Sequence, residues 1–175
     1  MMKNKKYLFS CLAVMFTLCI FFSFSAFAAE EKGVSVSVEY NENLNILKEM
    51  GGMPKHAIAQ KGYVDLSDGN DYFTIGKLDA SEAHTTDTYG ITKSKIRISL
   101  QSLQSASPHI KVTLYKPSGT SVATTTVSVP VISSTGDGGK TITFSNLDSA
   151  FDYYAIIANM DSKESGNLIG MASQA

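Results

Sequence analysis

Asp65, Asp68, Asn70 and Asp71 place four oxygen-bearing side chains within seven residues, grouped around Gly69. That chemistry suits calcium, which takes six to eight oxygen ligands and tolerates irregular geometry; a glycine lets backbone carbonyls turn inward toward such an ion. The spacing is not that of an EF-hand, because the terminal glutamate is missing. Asp148, Asp152 or Asp161 could supply further ligands. The same residues also make a good hairpin turn, since Asp, Asn and Gly favour one for local hydrogen-bonding and steric reasons. A bound calcium and a plain turn are both compatible with this stretch.

Other chemistry is sparse. His56, His84 and His109 stand far apart in sequence with no H-E-x-x-H spacing, so a metal or acid-base cluster would need the fold to gather them with carboxylates. There is no G-x-S-x-G nucleophile elbow and no glycine-rich phosphate loop. Tyrosine is the more informative type: Tyr63, Tyr72, Tyr89, Tyr115, Tyr153 and Tyr154 are spread over the apolar segments and their loops. Tyr153 and Tyr154 are adjacent, so on a strand they point to opposite faces. One is expected in the core and the other at the surface, where it could stack on a sugar or a peptide. The absence of tryptophan weakens the sugar reading.

The elements that must position these residues begin after an export signal. Lys3, Lys5 and Lys6 precede an apolar run from Tyr7 to Phe22, and Ala26 and Ala28 supply an A-x-A site, so cleavage is expected after Ala28. The run is short for a membrane-spanning helix, and no membrane anchor is expected after cleavage. Removing 28 of 175 residues leaves 147, enough for one domain with a sizeable core. Twelve of the 15 basic residues and all 16 acidic ones remain, giving 12 − 16 = −4. That charge is no footprint for nucleic acid. Cys11 and Cys19 leave with the signal, which excludes disulfides, zinc-thiolate sites and a cysteine nucleophile.

Residues 29–60 read as a strand, a short helix and a connector. Val34, Val36, Val38 and Tyr40 alternate as in a half-buried strand. Leu44, Ile46, Leu47 and Met50 fit one side of a short helix near 42–50, capped by Asn41 or Asn43 and stopped by "GGMP". Strand and helix together could form an arm beside the main core. Residues 61–175 read as strands: "GYVDL", "DYFTIGKL", "ITKSKIRISLQSL", "HIKVTLY", "SVATTTVSVPVIS", "TITFSNL", "DYYAIIANM" and "NLIGMAS". The stretch "LDASEAHTTDTYG" reads as a polar loop. Short strands with turn signals between them predict an all-β fold, a single antiparallel β-sandwich of jelly-roll or Ig-like type. Pro130 marks an edge strand or a bulge. The Ser/Thr-rich segment from Ser121 to Asn146 also has the length of a pore-forming hairpin, though Pro130 interrupts it.

Leu114-Tyr115, a turn with Gly119, and the later pair Tyr153-Tyr154 carry a resemblance. Over about residues 60–175 the chain resembles the C-terminal pre-peptidase-type β-sandwich domain of secreted bacterial proteins. The glycine usual before the tyrosine pair is replaced by Phe151-Asp152, and no accompanying catalytic domain is present in these residues. The resemblance implies a sandwich with a binding or accessory role. The expected partner is an extracellular protein, peptide or polysaccharide. The competing class is a small secreted enzyme whose site forms only in three dimensions.

Overall fold

The computed structural model describes residues 33–51, 62–80, 82–103, 107–163 and 166–175. The export signal, residues 52–60 of the connector, and His56 lie outside the described residues. In chain order the elements are β1 (Ser35–Asn41), α1 (Ile46–Glu49), β2 (Tyr63–Asp65), β3 (Asp71–Gly76), β4 (Ala83–Thr85), β5 (Thr88–Gly90), β6 (Lys95–Ser102), β7 (His109–Tyr115), β8 (Ser121–Ser128), β9 (Gly139–Ser145), β10 (Tyr154–Asn159) and β11 (Leu168–Gln174). Among the described residues the protein is all-β apart from one turn of helix. A five-stranded sheet has the order β1-β9-β6-β11-β3, and a four-stranded sheet the order β4-β10-β7-β8. Every pairing in these two sheets is antiparallel. β2 and β5 form a separate parallel pair.

The alternation that predicts the strands also decides the core. Ile96, Ile98 and Leu100 of β6 and Ile110, Val112 and Leu114 of β7 are all fully buried. They join Ile142 and Phe144 of β9 and Ala155 and Ile157 of β10 in one apolar cluster that draws on both sheets. Between β7 and β8 the chain reverses at residues 116–120. Lys116 and Thr120 close the turn (N···O 2.9 Å), and Gly119 takes φ 83°, where a side chain would be strained. This answers to "KPSGTS" as turn chemistry.

A second, smaller cluster forms where α1 meets β11. Leu44, Ile46, Ile169 and Met171 are buried there, with Leu47, Met50, Tyr72 and Leu103 against them. The expected apolar side of the helix is thus real, but the helix is shorter than 42–50 and its cap is Asn45 rather than Asn41 or Asn43. The Asn45 side chain accepts the Lys48 N–H (3.0 Å), while Asn41 accepts the Asn43 N–H in the preceding turn. Gln101 of β6 locks this corner. Its Oε1 accepts the Ile46 N–H (2.8 Å), and its Nε2 donates to the carbonyls of Leu44 (2.8 Å), Gly138 (2.8 Å) and Gly136 (3.3 Å). Gly139 lets the corner close, because a Cβ there would stand 2.6 Å from Leu44 and 2.7 Å from the Leu100 carbonyl.

Three expectations are corrected. β1 and α1 are not an arm: β1 pairs with β9 along its whole length, from Ser35 opposite Ser145 to Asn41 opposite Gly139. The polar stretch "LDASEAHTTDTYG" contains β4 and β5, short strands whose residues carry little apolar periodicity. The Ser121–Asn146 segment is not a hairpin, because β8 belongs to the four-stranded sheet and β9 to the five-stranded one. β8 is an edge strand, as Pro130 suggested. Pro130 lies two residues past its end, where its carbonyl accepts the Ser102 N–H (3.3 Å).

Candidate functional site

The two tyrosines separate as alternation requires. Tyr153 is fully buried. Its hydroxyl accepts the Asp148 N–H (3.1 Å) and donates to the Asp148 carbonyl (2.9 Å), pinning the turn that leads into β10. Its backbone exchanges hydrogen bonds with Tyr89, also fully buried, at 2.6 and 3.0 Å. Tyr153 therefore anchors, and Tyr154 is the one that solvent reaches.

Tyr154 of β10 lies directly opposite Tyr115 of β7, and their rings stack with centroids 5.4 Å apart and planes 15° from parallel. Both are half-buried. Beside them in the chain, the Lys116 ammonium sits 3.9 Å above the ring of Phe151, a cation–π contact. Phe151 is 46% exposed, far more than a side chain held for packing. Asp152 follows it and lies close enough to Tyr63 to raise that hydroxyl's pKa, with burial and Asp65 adding to the effect. Tyr63 is itself exposed. Further along the same face, Ile156 stands opposite Thr113 and Ala158 opposite Lys111. The Thr113 and Thr124 hydroxyls meet at 2.9 Å. One end of the four-stranded sheet thus offers aromatic rings beside a cation and a carboxylate, and passes into a row of hydroxyls. Such a surface can stack on a planar or ring-shaped group and hydrogen-bond its periphery.

Sequence reasoning named Tyr153 and Tyr154 together, with one of them expected at the surface, and noted Tyr115 and Tyr63, but did not single out Phe151 and Lys116. The available signal was a large apolar residue in the turn "DSAF", where small polar residues are usual.

The acidic stretch is split by the fold. Asp65 accepts the Ser67 N–H (2.8 Å), a bond that lowers its pKa, and its carbonyl accepts the Asp68 N–H (3.1 Å). Asn70 donates weakly to the Tyr72 hydroxyl (3.4 Å) and the Met171 sulfur (3.5 Å). Asp71 opens β3 and accepts the hydroxyl of Tyr89 (3.1 Å). Burial raises the pKa of Asp71, against the lowering effect of the Tyr89 bond, and burial likewise pushes the Tyr89 hydroxyl well above the ordinary tyrosine range. Among the described residues no three His, Cys, Asp or Glu side chains form a group that could hold a metal ion. Of the four, Asp65 and Asp71 each accept a hydrogen bond from the protein, from the Ser67 N–H and the Tyr89 hydroxyl respectively.

Of the two described histidines, His109 meets a carboxylate and His84 an aromatic ring. His109 Nδ1 lies 3.0 Å from Asp161 Oδ1, while the His109 N–H donates to Asp161 Oδ2 (2.8 Å). Their side chains are 59% and 36% exposed, so water screens the pair. His84 stacks on Phe73 (centroids 6.0 Å). Burial lowers its pKa, partly opposed by Asp87.

No protein-family model matches the chain, and none of the curated proteins matches it. No described helix is long and apolar enough to cross a membrane.

Proposed function

We propose that this protein is a secreted, non-catalytic β-sandwich that binds an extracellular ligand at the cell envelope or in the matrix through the aromatic end of its four-stranded sheet. The observation that carries this reading is the Tyr115–Tyr154 stack beside the exposed, lysine-capped ring of Phe151. Aromatic side chains left half in water cost solvation, and grouped ones mark contact surfaces more often than scattered ones do. Two features support the sandwich. A single apolar cluster draws on both antiparallel sheets. Tyr153 bonds back to backbone five residues upstream, as the tyrosine corner of immunoglobulin-like sandwiches does. The resemblance to pre-peptidase-type domains points the same way. Export rests on residues 1–28, and intact-mass measurement of secreted protein should show a start at Ala29.

Retention on insoluble polysaccharides and on an extended-peptide array, compared between the native protein and Tyr154→Ala, tests the binding surface. Retention by the native protein that falls at least tenfold in the variant is expected, because stacking on one ring is worth about 1.4 kcal/mol or more when desolvated. Equal retention by both proteins on every support would place binding elsewhere.

A second reading, a hydrolytic enzyme, rests on the His109–Asp161 pair, which has Ser128 as the cross-strand neighbour of His109. Ester turnover abolished by His109→Ala would favour it over the binding module.

A further inference from the structure

The four outermost strands of the two sheets are protected unequally. β4 is only three residues long. β8 slips register against β7 between Leu114 and Tyr115, and its chain runs on to Pro130. β3 has a register shift opposite Leu168 and Ile169, and its Tyr72 packs into the cluster around α1. Short length, irregular pairing, proline and a covering element are the usual ways of keeping a sheet edge from pairing with another chain. Among the described residues β1 has none of them along its outer edge, although Val34 and Val36 pack inward against the main apolar cluster. The strand runs seven residues in unbroken register with β9 and contains no proline and no lysine.

Its side chains add to the case. Val36, Val38 and Tyr40 lie opposite Phe144, Ile142 and Lys140. They share the face of the buried Phe144 and Ile142, yet Val38 is 39% and Tyr40 58% exposed. The apolar face of β1 is therefore covered at Val34 and Val36, which pack into the main cluster beside β8, and left open at Val38 and Tyr40, whose ring has the Lys140 ammonium 5.7 Å from its centre.

We propose that β1 is a docking edge for the β1 of a second copy of this chain, joined antiparallel about a two-fold axis. The strand is its own complement. Centred on Ser37, the pairing sets Val36 against Val38 and Tyr40 against Val34 of the copy, so the apolar faces coincide. Charge selects the same direction. Glu39 is the one charged side chain of β1. Antiparallel pairing puts it opposite Ser35 of the copy, whereas parallel in-register pairing would stack Glu39 on Glu39, which is unfavourable across strands. The contact is small, since seven residues fall well short of the about 20–30 per side of a standard interface. Association is therefore weak and grows with concentration.

Sedimentation equilibrium from micromolar to millimolar protein, together with amide hydrogen exchange at the two extremes, tests this. A reversible dimer is expected, with exchange in residues 35–41 slowed at high concentration. Val38→Lys should return the protein to monomer, because it puts a charge on the joined apolar face while leaving it able to reach water in the monomer. If that variant fails to fold, the exchange data on the native chain still decide. A monomer throughout the range overturns the proposal. So does a dimer whose β1 amides exchange at the same rate at both concentrations, which would place the contact elsewhere.

Discussion

Replacing Gln101 with alanine should unfasten the corner formed by α1, β6 and the turn before β9. Gln101 is fully buried and makes four hydrogen bonds, none of them to solvent. Its amide orientation follows from its neighbours: three carbonyls demand the NH₂ end and one N–H demands the oxygen. Truncation leaves the Ile46 N–H and the Gly138 carbonyl without the partners they have here, while the Gly136 carbonyl loses only a long, part-buried bond (3.3 Å) and the Leu44 carbonyl keeps the Gly138 N–H (2.9 Å). Two stranded groups at about 1–3 kcal/mol each, partly relieved by water entering from the adjacent surface, come to about 2–4 kcal/mol. For a chain of this size that is a fall in Tm of roughly 5–15 °C. Urea unfolding should show a lower midpoint at unchanged slope, and the amides of Ile46 and Lys48 should lose protection. Gln101→Glu sharpens the argument. It keeps the acceptor for Ile46 but turns an oxygen toward the carbonyls, so the folded state favours the protonated acid and its pKa rises above the unfolded value of about 4.3. Between those two pKa values the folded chain holds a proton the unfolded chain has shed. Stability must then fall as pH rises through the window and level off above it. A Gln101→Ala protein within about 0.5 kcal/mol of the native one, the range of ordinary surface changes, would refute the reasoning.

Leu114→Ala should cost about 2–5 kcal/mol in urea unfolding, because the side chain is fully buried between the sheets' apolar residues. Asp71→Asn should leave the protein at least as stable as the native one at neutral pH, provided the Tyr89 hydroxyl still donates to the amide oxygen. The raised pKa of Asp71 means that its ionisation weakens the folded state as pH climbs from the unfolded value toward the folded one. The difference between the two proteins should vanish in acid, which a pair of pH-stability curves would show. Melting curves in chelator and in millimolar calcium should coincide for the native protein and for Asp68→Asn. A rise confined to the native protein, about 2.7 kcal/mol at a hundredfold excess over Kd, would instead establish the acidic turn as a calcium site.

The long strands were legible because their apolar residues keep a period of two over enough positions to be unmistakable. Ile96, Ile98 and Leu100, and Ile110, Val112 and Leu114, are buried as that pattern requires. β4 and β5 were not, since "AHT" and "TYG" are too short for any period to show and are held by pairing with distant residues of β10 and β2. Gln101 sits in the polar row with Lys95, Arg97 and Ser99, so alternation assigns it to water; only the return of α1 over that row makes it interior. Tyr153 and Tyr154 were separable in advance by parity alone. Their neighbours across the strand were not, because Tyr115 stands opposite Tyr154 by a register that no local signal sets.

The position of β11 governs when this protein can finish folding. It is the last strand in the chain, yet it lies inside the five-stranded sheet, between β6 and β3. β1, the first of the described strands, waits for a partner that begins at Gly139. A chain that emerges N-terminus first therefore exposes Ile96, Ile98 and Leu100 long before either side of β6 can be covered. Loops of this length close slowly, and topologies built from distant pairings fold in milliseconds to seconds. Until Gln174 has been delivered, the unfinished sheet carries an open gap in its middle, and the nascent chain is most vulnerable to aggregation in that interval.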